Sequence, residues 1–308
     1  MTGESPEPQK FPLDGFDLSR VSSETLIALF DTAPASHSYE GTRIVRISQS
    51  LIIKGGSGAR PCEANILDIV AGIGKEGAGS EGSIAVPRVH RVIKVESERI
   101  FYGARCLLVM DFIDGPTVEA CWDTLNQTER EDIVSQVASM INTLQSFELS
   151  SQQQDLPGPV GCKTCLARGF WFPDFGAGPF NSKEDLEAYF NRQLEISQLF
   201  NQAPDTVPPF SFERLVLTHQ DIAPRNLILR PDGKVFLIDW GDAGIYPEGL
   251  EYAAFKARWY TAPEFTAMLL EKVRRYEEFE QHLQWIMFAL TTGQWIGYDF
   301  SAHENDLP

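Results

Sequence analysis

The chain has 308 residues, enough for one large domain or two modest lobes, each with its own core. Hydrophobic residues make up 43% and charged residues 22%, a balance that excludes wholesale disorder. Forty-three acidic against 26 basic side chains give a formal charge of -17, which repels polyanions, disfavours nucleic acid or an anionic membrane as the main partner, and penalises a cationic ligand least.

Residues 1–19 are polar and proline-containing and read as a loosely ordered tail. Met1-Thr2-Gly3-Glu4-Ser5-Pro6 lacks a basic-then-apolar succession, and no apolar run approaches membrane-spanning length, so the expected location is cytoplasmic. Thr42 to Ser48 and Leu51 to Lys54 are short β-branched or apolar runs around Gln49-Ser50, a hairpin pattern. From Glu63 onward, Ile66, Leu67, Ile69, Val70 and Ile73 share one broad helical face, which ends where glycines begin. Gly72-Ile73-Gly74-Lys75-Glu76-Gly77 has the spacing of a dinucleotide fingerprint. It leaves a predicted helix, whereas phosphate binding needs glycines that open one, so a flexible linker is expected. Val86 to Val95 and Ile100 to Met110 read as strands and complete a small strand-rich lobe over residues 20–114.

Beyond Gly115 the period becomes helical. Thr128-Glu129-Arg130-Glu131 resembles a capping box, followed by an apolar stripe of Ile133, Val137, Ile141, Leu144 and Phe147. Residues 150–181, rich in Gly, Pro and aromatics, form a long connection of the kind that often serves as a lid. The five cysteines are scattered and odd in number, which fits a reducing compartment; Cys162-Lys163-Thr164-Cys165 has the spacing of half a zinc site or of a redox pair, but with no second such pair and dispersed histidines it reads as loose thiols. Ser182 to Phe200 and Glu264 to Ile296 read as helices, and strand signals return only between Leu215 and Ile238. The class is therefore α+β, with a larger, mainly helical lobe over residues 115–308 carrying an inserted hairpin.

That hairpin carries the chemistry. Leu227 to Arg230 and Lys234 to Ile238 flank Pro231-Asp232-Gly233, a tight-turn composition. Pairing of the two runs brings Asn226 and Asp239 together at the open end, as hard oxygen donors suited to magnesium. Asp221, five residues before Asn226, reaches the same cavity, where a carboxylate orients an acceptor hydroxyl and takes its proton. His219 is expected to brace the loop by hydrogen bonding.

The run Leu217 to Asn226, with His219-Gln220-Asp221-Ile222-Ala223-Pro224-Arg225-Asn226, followed by Leu237-Ile238-Asp239-Trp240, resembles the aminoglycoside phosphotransferase and choline-kinase-like superfamily. Arg225, the run Asp239 to Pro247, and Glu251-Tyr252 resemble its fungal branch. The resemblance spans roughly Thr42 to Phe265. It implies a two-lobed protein-kinase-like fold, ATP with Mg2+ as phosphoryl donor, Asp221 as catalytic base, and Asn226 and Asp239 as metal ligands. The same template asks for a strand lysine paired with a helix glutamate, which Lys54 and Glu63 supply. It also places the adenine-binding hinge at Leu107 to Ile113, with backbone groups around Met110 to Phe112 holding the base. Gly178-Pro179-Phe180 resembles a family loop with a packing role.

Gln220, Trp240 and the lack of an Ala-Pro-Glu motif after Asp239 point away from protein kinases. No phosphate-covering glycine loop stands near Thr42 to Ser48; Gly55, Gly56 and Gly58 follow Lys54 instead. Asp174, Asp242 and Glu251 offer negative charge to an amine-bearing acceptor. The leading expectation is transfer of the γ-phosphoryl group of ATP to a hydroxyl of a small metabolite, with a cationic acceptor compatible with the acidic chain, and the alternative is a catalytically silent binding protein of the same fold.

Overall fold

The computed structural model describes residues 10–39, 41–56, 59–73, 82–95, 105–150 and 156–296. Part of the stretch expected to be loose through Ser19 is packed on the small lobe: Leu13 N donates to Ile47 O at 2.8 Å, and its side chain joins the cluster around Leu26 and Phe30. Residues 1–9 lie outside the described residues, as do 74–81, which hold most of the Gly72–Gly77 motif. Helix α1 (Ser23–Thr32), not foreseen from the sequence, starts where the Ser22 hydroxyl accepts from Thr25 N and lays Leu26 and Phe30 on the small-lobe core.

Strands β1 (His37–Tyr39), β2 (Thr42–Arg46) and β3 (Leu51–Gly56) are followed by α2 (Pro61–Gly72), β4 (Val89–Val95) and β5 (Arg105–Asp111). They form one antiparallel sheet in the order β1-β2-β3-β5-β4, with Lys54 opposite Ile44 on one side and Leu108 on the other. The expected β2–β3 hairpin thus gains a strand before it. Gly55 and Gly56 belong to β3, not to a loop. A Cβ on Gly55 would stand 2.4 Å from the Leu107 side chain and 2.6 Å from the Phe30 ring, so a side chain there would force both to shift. Gly56, at φ 106°, has the Gly41 carbonyl where its Cβ would be.

The chain then passes Gly115 against the Leu229 carbonyl and enters α3 (Val118–Cys121) and α4 (Gln127–Ser146). The capping box of α4 is formed by Asn126 and Glu129, two residues earlier than expected: Asn126 Oδ1 accepts from Glu129 N at 3.1 Å, and Glu129 Oε2 from Asn126 N at 2.8 Å. Asn is as good a cap as Thr, and the box forms where the first apolar positions of the helix can face the core. After α5 (Lys183–Leu199) come β6 (Leu215–Thr218), β7 (Leu227–Leu229), β8 (Val235–Leu237), β9 (Gly244–Pro247) and α6 (Leu250–Ala257). The expected helical stretch from Glu264 is broken into α7 (Pro263–Leu270), α8 (Glu277–Gln284) and α9 (Met287–Leu290).

One core runs through both lobes, joining Ile66, Leu67 and Val70 of α2 to Val134, Val137 and Ile141 of α4 and to Leu217, Leu237 and Trp240 around the hairpin. A second gathers Trp171, Phe172, Phe190, Phe210, Tyr246 and Leu283. The long connection is therefore no free lid in its described part: Trp171 is fully buried, and Gly158 bridges to Ile245. Cys162 and Cys165 are not loose thiols, because their sulfurs are joined in a disulfide.

Candidate active site

Lys54 is a buried cation held between two carboxylates. Its Nζ lies 2.7 and 2.9 Å from the Glu63 oxygens and 2.7 Å from Asp239 Oδ1. Strand β3 presents Lys54 and the first turn of α2 presents Glu63, so a contact between neighbouring elements aims the ammonium at the hairpin. Burial alone would lower the Lys54 pKa, but the charges of Glu63 and Asp239 outweigh it and hold the ammonium above its ordinary value. Lys54 in turn pulls the Asp239 carboxyl below its ordinary value, against burial.

The β7–β8 hairpin pairs Leu227 with Leu237, and Ile238 N donates to Asn226 O at 2.9 Å, which sets Asn226 and Asp239 side by side. Asn226 Nδ2 donates to Asp221 O at 2.8 Å and to Asp221 Oδ2 at 2.7 Å, joining the third residue. Asp239 (φ 65°) and Gln220 (φ 67°) are both left-handed, a conformation that costs a non-glycine residue about 1–3 kcal/mol and that a well-braced site retains.

The bracing is visible underneath. Glu251, fully buried at the start of α6, accepts from the backbone amides of His219 and Gln220, the latter at 3.1 Å. Gln220 Nε2 donates to Asp242 O at 2.7 Å and Arg168 O at 2.9 Å. His219 Nδ1 accepts from Asp221 N at 3.2 Å, so its Nε2–H donates to Ile238 O at 3.1 Å, and a neutral ring satisfies both. Glu251 therefore faces amides and cannot offer its charge to an acceptor. Asp242 faces Arg60 at 4.0 Å, and Asp174 is exposed.

The sequence model of the phosphotransferase enzyme family matches residues 40–287. The chain belongs to that family. Among solved structures, aminoglycoside phosphotransferase APH(2")-IIa, in a complex with streptomycin and ATP, is 14% identical, with 85% of each chain covered and a TM-score of 0.52. A thermostable mutant of aminoglycoside phosphotransferase APH(4)-Ia in its apo form is 15% identical, over 89% of this chain and 93% of that one, with a TM-score of 0.52. A ternary complex of such a mutant with AMP-PNP and hygromycin B has the same identity and coverage and a TM-score of 0.50. At this identity the likeness establishes the fold, a two-lobed kinase-like α+β architecture. No curated protein matches the sequence.

Within this phosphotransferase-family site, Lys54, Glu63 and Asp239 form one contact network and Asp221 and Asn226 another, adjoining it across the hairpin. Met110 and Phe112 are placed differently. Met110 is buried in the core at the end of β5, and Phe112 N donates to Ser50 O at 2.7 Å, so that amide is engaged within the lobe. Two residues that spacing did not reveal also reach the loop: Arg258, from the end of α6, and Arg60, ahead of α2.

Two buried groups give the phosphotransferase loop a testable pH signature. Burial pushes Glu251 up to about 7, against the amides it accepts from, and pushes His219 down to about 4. Between pH 4.5 and 7 the folded state holds a proton on Glu251 that the unfolded chain has lost, so this group's contribution falls as pH rises. Between pH 4 and 6.5 the unfolded chain protonates His219 and the folded state does not, so that contribution rises with pH. Each is on the order of 3 kcal/mol, and across their shared window they oppose one another. Urea unfolding of Glu251→Gln is expected to show stability rising with pH over that window, more steeply than in the native chain. A slope unchanged by the substitution would contradict the assignment.

Proposed function

We propose that this chain is a small-molecule kinase, moving the γ-phosphoryl group of ATP to a hydroxyl with magnesium as cofactor. The observation that carries the reading is the buried Lys54 bridging Glu63 and Asp239, a contact made across 185 residues of sequence beside the Asp221–Asn226 pair. Such a cation, linked to a carboxylate able to bind metal, is what cradling a triphosphate requires. The similar structures in complex with ATP or AMP-PNP support the same donor.

The donor set fits magnesium. Asn226 uses Nδ2 on Asp221 and Asp239 uses Oδ1 on Lys54, leaving Asn226 Oδ1 and Asp239 Oδ2 as hard ligands. Among the described residues no cluster of three or more His, Cys, Asp and Glu side chains forms a dedicated cage, in keeping with an ion that completes its shell with water and phosphate oxygens. When bound, it supplies charge neutralisation on the phosphates.

The small lobe, residues 20–114, is the nucleotide side: Lys54 holds the phosphates, Glu63 holds Lys54, and the hinge from Met110 to Ile113 borders adenine, with the Phe112 amide excluded as a donor. Residues 115–308 carry the acceptor side. There Asp221 orients the hydroxyl; its oxygen bonds to the γ-phosphorus, the bond to the β-phosphate oxygen breaks, and the proton passes to Asp221. No described helix is long and apolar enough to cross a membrane, and we place the reaction in the cytoplasm.

Purified protein is expected to bind ATP with magnesium and to phosphorylate members of a metabolite library, read as a mass gain of one phosphate. Asp239→Ala is expected to abolish metal-dependent nucleotide binding, measured by calorimetry with and without magnesium. Absence of nucleotide binding in the native chain would refute the function.

A further inference from the structure

Two guanidinium groups converge on one oxygen of Asp221. Arg225 Nη2 donates to its Oδ1 in a short contact, and Arg258 Nη1 stands 3.3 Å from the same oxygen. The other oxygen already accepts from Asn226 Nδ2 at 2.7 Å. Neither arginine forms a salt bridge with any other carboxylate among the described residues.

The two are held from different elements. Arg225 sits in the short 3-10 turn Pro224–Asn226 with its side chain 40% exposed, so its guanidinium can turn toward a ligand. Arg258 is anchored: Nη1 donates to Gln220 O at 2.7 Å, and the guanidinium lies over the Phe170 ring, 5.1 Å from its centre. Phosphate-side charge has its own cation in Lys54, which is engaged with Glu63 and Asp239. The two guanidinium groups lie beside the carboxylate that meets the acceptor.

The acidic side chains that would favour an amine are engaged elsewhere. Glu251 is sealed beneath the loop on backbone amides, and Asp242 faces Arg60. A cationic acceptor would have to stand against two guanidinium groups.

We propose that the acceptor carries a carboxylate or phosphate near its reacting hydroxyl, and that Arg225 and Arg258 bind this anion, Arg225 exchanging Asp221 Oδ1 for it. The inference rests on the phosphotransferase reading above and names its substrate class. Guanidinium forks match both anions in bidentate geometry, and charge-assisted hydrogen bonds of this kind are the strong ones. The exchange also frees an oxygen of Asp221 to face the hydroxyl, so the anion both holds the acceptor and opens the base to it.

The test uses the full chain loaded with magnesium and AMP-PNP, and four probes on one three-carbon skeleton: glycerate, glycerol 3-phosphate, glycerol and 3-amino-1,2-propanediol. Saturation-transfer NMR reads binding at millimolar concentration. The two anions are expected to bind at least about tenfold more tightly than glycerol or the amine, and the stronger of them identifies the anion as carboxylate or phosphate. Arg225→Gln, at a half-exposed position that does not threaten folding, is expected to remove this preference; Arg258→Gln should do the same if it folds. Equal binding of glycerol, preference for the amine, or no binding of either anion would overturn the proposal. So would an Arg225→Gln variant that binds both anions normally and loses only AMP-PNP affinity, since that assigns the arginine to the phosphoryl donor. AMP-PNP binding is measured first on the same sample: its absence sinks the phosphotransferase reading and this inference together, whereas its presence without anion preference sinks this inference alone.

Discussion

Replacing Asp221 by Asn is expected to slow phosphoryl transfer by about 10²- to 10⁴-fold while leaving the affinity for ATP with magnesium within a few-fold of the native value. The division follows from the contacts. In the proposed mechanism Lys54, Asn226 and Asp239 hold the triphosphate and metal, and Asp221 touches none of them except Asn226. Asn has nearly the shape of Asp, so the left-handed Gln220 and the amides seated on Glu251 need not move. What disappears is the oxygen proposed to take the hydroxyl proton. Single-turnover transfer to an acceptor found by the library screen, beside titration with a fluorescent nucleotide, measures the two quantities separately. Native transfer rates in the variant would remove Asp221 from the mechanism. Loss of nucleotide affinity as large as the loss of rate would instead make it part of the donor site.

Much of this site was legible because its parts are local. Asn226 and Asp239 meet because a short hairpin joins them, and composition alone marks its turn at Pro231-Asp232-Gly233. Glu63 follows Lys54 by nine residues, at the start of the next helix. What escaped depends on partners far along the chain. Strand β9 holds a glycine and a proline in four residues, and is a strand because β6 pairs with it from Leu215↔Pro247 to Thr218↔Gly244. Arg258 has no spacing relative to Asp221 that a motif would record; the turn out of α6 delivers it. Glu251 was noticed but misread, since its role depends on burial: at a surface it would be open to a cationic ligand, whereas beneath the loop it is taken by two amides. Helix α1 was the avoidable omission, for Ser22 with Leu26 and Phe30 already displays a cap and an i, i+4 apolar pair.

Lys54→Met tests the other half of the site and is expected to cost about 3–5 kcal/mol of stability near neutral pH, the range for removing one partner of a buried ion pair. Met matches the length of the lysine stem and keeps the packing on β3, so the loss reports charge more than volume. Asp239 is half exposed and can turn to water, but Glu63 is 1% exposed and keeps no cation. Burial already holds Glu63 above the usual carboxylate range with Lys54 present, and without it the carboxyl rises further. A carboxyl raised in the folded state favours folding where it is protonated, so the deficit of Lys54→Met should shrink as pH falls. Adding Glu63→Gln removes the uncompensated charge and should recover a large part of the loss, a coupling that a double-mutant cycle in urea resolves. Neither variant should retain native nucleotide affinity, because stability regained without the ammonium leaves the phosphates without their cation. A deficit that grows as pH falls, or no recovery in the double variant, would show that Lys54 and Glu63 are not the coupled pair their geometry describes.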